Sequence, residues 1–155
     1  MTDFSDLLSP DAILAGISPG NKKALFQQLA AAAERVHGVD AAVVAHRLAE
    51  RERLGSTGFG GGIAIPHGKL DGLDRVIAVF ARLEKPVDFA AIDDLPVDLV
   101  FMLLSPVGAG AEHLKALARV SRLLRDRNIA AKLRGTASPD AVYALLTGVE
   151  ARDAA

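Results

Sequence analysis

The chain contains no cysteine and no tryptophan, and its charges nearly cancel, with 18 Lys and Arg against 19 Asp and Glu. Without cysteine there is no disulfide, no thiol nucleophile and no thiolate metal site. A formal charge of -1 removes any bulk attraction to nucleic acid or an anionic membrane, so a charged partner has to be recognised through a local patch. Aromatic residues make up only 5% of the chain and no nucleic-acid-binding motif is present, so no nucleic-acid partner is expected. The most apolar run, Val97 to Val107, contains Asp98 and is too short to cross a bilayer. The N-terminal MTDFSDLLSP is acidic and lacks the continuous apolar core of a secretory signal. A cytoplasmic protein without membrane insertion is the expectation.

What is present suffices for one substantial core: 155 residues, 50% of them hydrophobic, close to the usual size of a domain. Residues 1–150 are expected to form that domain and 151–155 a short C-terminal tail. Ile13-Leu14-Ala15-Gly16-Ile17, between Pro10 and Pro19, fits a short edge strand. Leu25, Leu29, Ala32, Ala33 and Val36 recur at helical spacing and predict a helix over 21–36 that stops at Gly38. Asp40 is placed to cap a second helix, 41–53, with Val43, Val44, Leu48 and Leu54 as its apolar contacts. Ile63-Ala64-Ile65 and Val76 to Leu83 read as strands, the latter bounded by Asp71-Gly72 and by Glu84-Lys85-Pro86. After an irregular 87–96, the nearly unbroken apolar run Val97 to Leu104 reads as a strand buried on both faces. A third helix, 111–125, is expected to turn Leu114, Leu117, Val120 and Leu124 inward, and helices over 128–134 and 139–147 follow. Helices, strands and helices again around one core indicate a layered α/β domain.

Gly55, Gly58, Gly60, Gly61 and Gly62 precede the short apolar run that ends in Pro66-His67. Converging backbone N–H groups can hold an anion, but the nucleotide motifs fail. Gly68-Lys69 is followed by Leu70 rather than Ser or Thr, and the glycines come before a strand instead of after one. Tight turns and close approaches are the simpler reading of these glycines. The four histidines show no metal-type spacing. His37, beside Gly38, suits the carbonyl end of its helix, and His46 is expected on an outer face. His67 is different. Pro66 and Gly68 flank it, so it should stand at the tip of a short rigid strand. There one ring nitrogen can attack phosphorus while the other donates a hydrogen bond that fixes the tautomer; a structural or a binding role fits the same residues. His113 opens the third helix, where free N–H groups favour an anion, and it fits equally well as a satisfied boundary histidine. Arg51 and Arg53 both end the second helix, and either could donate two parallel hydrogen bonds to an anion from its planar fork; Arg51 is favoured because it lies one short turn before Gly55-Ser56-Thr57, with a solvated helix-end charge as the alternative for each. From 112 to 134 seven cations face only Glu112 and Asp126, and the pattern fits a solvated or protein-docking face.

The run Arg51-Glu52-Arg53-Leu54-Gly55-Ser56-Thr57-Gly58, followed by Gly62-Ile63-Ala64-Ile65-Pro66-His67-Gly68-Lys69, resembles the type-2 IIA domains, the mannitol/fructose class, of the bacterial phosphoenolpyruvate-dependent phosphotransferase system. Ala91-Ile92-Asp93, Pro96-Val97-Asp98-Leu99-Val100 and Glu112-His113-Leu114 extend the likeness, which covers about residues 8–148 and is greatest to the nitrogen-regulatory branch. The resemblance implies a three-layer α/β/α single domain with a mixed central sheet and helices on both faces. It implies that His67 is transiently phosphorylated by a phosphohistidine carrier protein of the nitrogen or sugar branch, itself charged by enzyme I. His113 matches the second active-site histidine, which hydrogen-bonds and orients the phosphoryl group, and Arg51 matches the arginine that stabilises its charge. No cofactor and no metal are implied. The implied output is regulatory, through phosphorylation-dependent binding to targets such as sensor kinases or potassium-transport proteins. A stand-alone sugar IIA component passing phosphate to a separate fructose or mannitol IIB protein is the alternative, against which the lack of a fused IIB or IIC module weighs. Gly61 stands where many nitrogen-related relatives carry a polar residue such as Asn, so any side-chain contact expected there is lost.

Overall fold

The structure, a computed structural model, describes residues 4–154, with side chains described as far as 148; the expected tail, 151–155, lies outside the described side chains. The strands are β1 (Ile13–Ile17), β2 (Gly58–Gly60), β3 (Ile63–Ala64), β4 (His67–Leu70), β5 (Ile77–Val87) and β6 (Val97–Pro106). The α-helices are α1 (Lys22–His37), α2 (Ala41–Arg53), α3 (Gly110–Leu124), α4 (Arg127–Arg134) and α5 (Pro139–Ala154). The sheet runs β1-β5-β6-β3-β2, with β4 also paired to β6. It is mixed: β1 is parallel to β5, β5 antiparallel to β6, and β3 and β4 parallel to β6. Helices α1 and α2 pack on one face and α3, α4 and α5 on the other, giving the expected three layers.

Local chemistry sets the element boundaries. Asn21 accepts the Ala24 N–H at 2.8 Å to start α1, and Gly38 closes it at φ +75°. Asp40 accepts from Ala42 and Val43 to start α2. Residues 99–105 of β6 are fully buried, the burial expected of a strand covered by helices on both sides.

Several expectations are corrected. The glycine-rich stretch is a hairpin, β2 against β3, turned by Gly60, Gly61 and Gly62 at φ +108°, +67° and +81°. No alternation of apolar and polar residues marks it, because glycine takes positive φ without cost and leaves no side chain to pattern. Strand β5 continues through Glu84, Lys85 and Pro86, which read as its end; the register with β6 shifts between Arg82 and Val87, an irregularity that tolerates a proline. The inward stripe of α3 is His113, Ala116, Val120, Leu123 and Leu124, and Leu114 is 67% exposed. Leu54, expected to pack, is 85% exposed, because it follows the last residue of α2 instead of continuing its buried stripe of Val44 and Leu48. His37 places Nε2 3.3 Å from the carbonyl of Ala78 on β5, not on its own helix end.

Candidate functional site

Three segments meet at the C-terminal end of β6. His67 does not end the strand of Ile63–Ala64 but begins β4, because Pro66 has no N–H to extend the ladder. The carbonyl of Pro66 still accepts from Leu103, and β4 resumes beside β6 with His67 opposite Leu103 and Lys69 opposite Ser105. A Cβ on Gly68 would lie 3.2 Å from the Cβ of Arg47, so Gly68 allows α2 to approach the strand closely. Side chains alternate along a strand, so His67 points to the opposite face, toward α3. No further strand lies beyond β4 among the described residues, and the last turn of α2 reaches His67 around this edge.

Arg51 sits in that last turn. Its Nε donates to Nε2 of His67 at 3.2 Å, and its Nη1 donates to the carbonyl of Gly55 at 2.8 Å. Arg53 instead lines a groove between α1 and α2 with Lys23, Phe26 and His46. The other ring nitrogen of His67, Nδ1, is 2.8 Å from the carbonyl of Ile65. The His113 ring stands 5.2 Å from the His67 ring, centroid to centroid, tilted by 56°. Its Nδ1 is 2.5 Å from Oγ of Ser105, the buried serine near the end of β6. The structure thus brings together Arg51, His67 and His113, and leaves His37 and His46 outside.

Burial lowers the pKa of His67, opposed by the Ile65 carbonyl, and Arg51 lowers it further while Glu52 acts against it. His113 is held at about 4 by burial and by the neighbouring His67 and Lys69. Both imidazoles are therefore neutral at neutral pH. Glu52 anchors the approach to the site. Burial raises its pKa, but hydrogen bonds from Lys22, Thr57 and Ser56 outweigh that and keep it ionised. Lys22 reaches it at 2.8 Å and the Thr57 hydroxyl at 2.6 Å, tying the end of α2 to the start of the hairpin.

Reading the sequence missed Glu52, Ser105 and the Ile65 carbonyl. Glu52 was visible only as one charge in a charged run. Ser105 had a signal, a polar residue immediately after the apolar run Val97 to Leu104. Gly61 holds its turn through the main chain: its N–H donates to Asp93 at 2.9 Å and its carbonyl accepts from Arg134 at 2.6 Å. The cationic stretch is divided, with Arg119 paired to Asp6 and Arg134 to Asp98, while Arg125 lies over Phe59. No group of His, Asp or Glu able to hold a metal ion occurs among the described residues. No helix among them is long and apolar enough to cross a membrane.

The fold is a mixed α/β domain that gathers two neutral imidazoles and a guanidinium at one end of its sheet. Residues 6–149 match the family described as phosphoenolpyruvate-dependent sugar phosphotransferase system, EIIA 2, and the chain belongs to that family. It is 51% identical over 143 residues to the nitrogen regulatory protein of Bradyrhizobium diazoefficiens, covering 92% of this chain and 94% of that one. It is 37% identical over 152 residues to the fructose-specific EIIA component of Haloferax volcanii, covering 96% and 97%. The crystal structure of nitrogen regulatory protein IIA-Ntr from Neisseria meningitidis matches with a TM-score of 0.86 at 38% identity, over 91% of this chain and 97% of that one.

Proposed function

We propose that this protein accepts a phosphoryl group on Nε2 of His67 from a phosphohistidine carrier protein, in a cytoplasmic relay fed by phosphoenolpyruvate. Its two states are then distinguished by regulatory partners, sensor kinases and potassium-transport proteins being the classes of target. The observation that carries this reading is the pair of contacts on the His67 ring, which constrain its tautomer from both sides. A carbonyl only accepts, so the Nδ1 facing Ile65 carries the proton; an arginine only donates, so the Nε2 facing Arg51 carries the lone pair. A neutral imidazole with its lone pair beside a fixed cation is a nucleophile poised for an anionic electrophile.

In the transfer step Nε2 attacks phosphorus as the bond to the carrier's imidazole breaks, and the departing nitrogen takes back its electron pair. The proton stays on Nδ1, and its hydrogen bond to the Ile65 carbonyl spreads the positive charge that develops on the His67 ring. Arg51 exchanges the Nε2 lone pair for phosphoryl oxygens, and His113 donates to another. Positioning and fixed charge carry the step.

The test is intact mass after mixing with phosphoenolpyruvate, enzyme I and carrier. An acid-labile phosphoryl adduct is expected on the native protein and not on His67→Ala. No adduct with active carriers, or an undiminished adduct on His67→Ala, refutes the proposal. The likeness to a fructose-specific EIIA component favours a second reading, onward transfer to a separate sugar IIB protein. Rapid transfer from the phosphorylated protein to a fructose or mannitol IIB would establish it, and failure with both supports the regulatory output.

A further inference from the structure

Ser105 is fully buried, and its hydroxyl oxygen has one hydrogen-bond partner among the described residues, Nδ1 of His113 at 2.5 Å. A serine hydroxyl has a single proton to donate, and among the described residues the hydroxyl makes no second hydrogen bond. If His113 carried its proton on Nδ1, the two protons would compete for one line of contact and a buried O–H would be left without an acceptor, at a cost of about 1–3 kcal/mol. If the hydroxyl donates to Nδ1, both groups are satisfied and the His113 proton lies on Nε2. The register of β4 on β6 gives this pairing its direction. His67 is opposite Leu103, and Ser105, two residues further, shares that face of the sheet. Ser105 therefore holds His113 beside His67, where the rings stand 5.2 Å apart.

We infer that Ser105 is a positioning residue that fixes His113 as the Nε2–H tautomer, giving the site a neutral hydrogen-bond donor for the phosphoryl group. The inference rests on the phosphoryl-carrier reading for its purpose, and on geometry alone for the tautomer. The two histidines then have opposite assignments. His67 offers a lone pair at Nε2 because Nδ1 is tied to a carbonyl; His113 offers a proton at Nε2 because Nδ1 is tied to a hydroxyl. A neutral donor can engage the phosphoryl oxygens without trapping the group as a second full cation would, which suits a carrier that must release it. Burial and the nearby His67 and Lys69 keep His113 neutral, so the choice of tautomer is the only variable left to set.

Two-bond nitrogen–proton correlation spectra of the unphosphorylated protein at neutral pH read the tautomers directly. His113 is expected as Nε2–H in the native protein and as a tautomer mixture in Ser105→Ala, with His67 unchanged in both. Transfer from phosphorylated carrier to Ser105→Ala should be slower by on the order of 10-fold, the scale for partners that orient a functional imidazole. His113→Gln, whose amide also donates from the Nε2 position, should retain more transfer than His113→Ala, and Ser105→Ala should cost nothing further in the His113→Gln background. Native His113 protonated on Nδ1, or Ser105→Ala with both the tautomer and the rate unchanged, overturns the assignment. If the native protein accepts no phosphoryl group, the carrier reading fails by itself, and the spectra still decide the tautomer.

Discussion

Replacing Arg51 separates a site built around charge from one built around packing. Its Nε–H meets the Nε2 lone pair of His67 at 3.2 Å, and its Nη1 is anchored on the Gly55 carbonyl at 2.8 Å. On the proposed reading, in which His67 carries a phosphoryl group, the same fork faces its oxygens. A hydrogen bond to a charged group contributes about 1.5–3 kcal/mol. If that contact is made in the transition state, Arg51→Ala slows transfer by roughly 10- to 150-fold, at about 1.4 kcal/mol per decade. Arg51→Lys keeps the charge but loses the planar fork, so its rate should fall between native and Arg51→Ala. Arg53→Ala is the control, since Arg53 lines the α1–α2 groove instead. The assay is quenched-flow transfer from phosphorylated carrier. Proton NMR titration gives an independent readout: Arg51 depresses the pKa of His67, so its removal should raise that pKa, while burial keeps it below the ordinary histidine value. A rate for Arg51→Ala within twofold of native, or an equal loss in Arg53→Ala, would refute the reasoning.

The histidines also predict an acid-sensitive fold. His37, His67 and His113 all have depressed pKa values, so the unfolded chain binds more protons than the folded one below the ordinary histidine value of 6.5. Stability is complete above that pH and falls as pH drops through it; His113, held at about 4, contributes on the order of 2–3 kcal/mol to the loss between 6.5 and 4. Urea midpoints across that range should show the slope, and His113→Gln should flatten it. Gly62→Ala places a Cβ 2.6 Å from Nη2 of Arg134 and 3.0 Å from Oδ1 of Asp98 at φ +81°, so a loss of about 1–3 kcal/mol is expected by denaturant titration. Gly61→Asn meets open space at φ +67°, a conformation Asn tolerates, and should stay within about 0.5 kcal/mol of native. Thr57→Val removes the hydroxyl held at 2.6 Å by Glu52; transfer should slow without loss of the adduct, and an unchanged rate would show that this tie does not position Arg51.

Element type was legible wherever burial imposes a period. The stripe of α1, the unbroken apolar run of β6 and the caps at Asn21 and Asp40 all follow from short-range physical chemistry, whereas in α2 only Val44 and Leu48 of the expected contacts are buried and Val43 and Leu54 are exposed. The β2–β3 hairpin was not legible, because glycines carry no alternation. Strand β5 was cut short because Glu84-Lys85-Pro86 has the composition of a turn, yet the strand crosses it and pairs again with β6 at Val87. In α3 the expectation held at Val120 and Leu124 and failed in the first turn, at Leu114. Leu114 is as apolar as any core residue, but α3 packs on β6 along the row that begins at His113. Periodicity alone allowed either row.

The site shows the same division more sharply. Identity and spacing placed Arg51, His67 and His113 near one another only through family resemblance, since Arg51 and His113 lie 62 positions apart. The structure joins them through one strand: β6 pairs with β4 to set His67, and past its end it turns into α3 to return His113 beside it. What determines the chemistry of the two rings is then a carbonyl and a hydroxyl. The Ile65 carbonyl has no signature, because every residue has one. Ser105 does have a letter of its own, but its meaning depends on an imidazole eight residues later, across a turn that no helical or strand period spans. A sequence can therefore disclose which side chains are able to handle a phosphoryl group, while the assignment of lone pair and proton between them belongs to the fold.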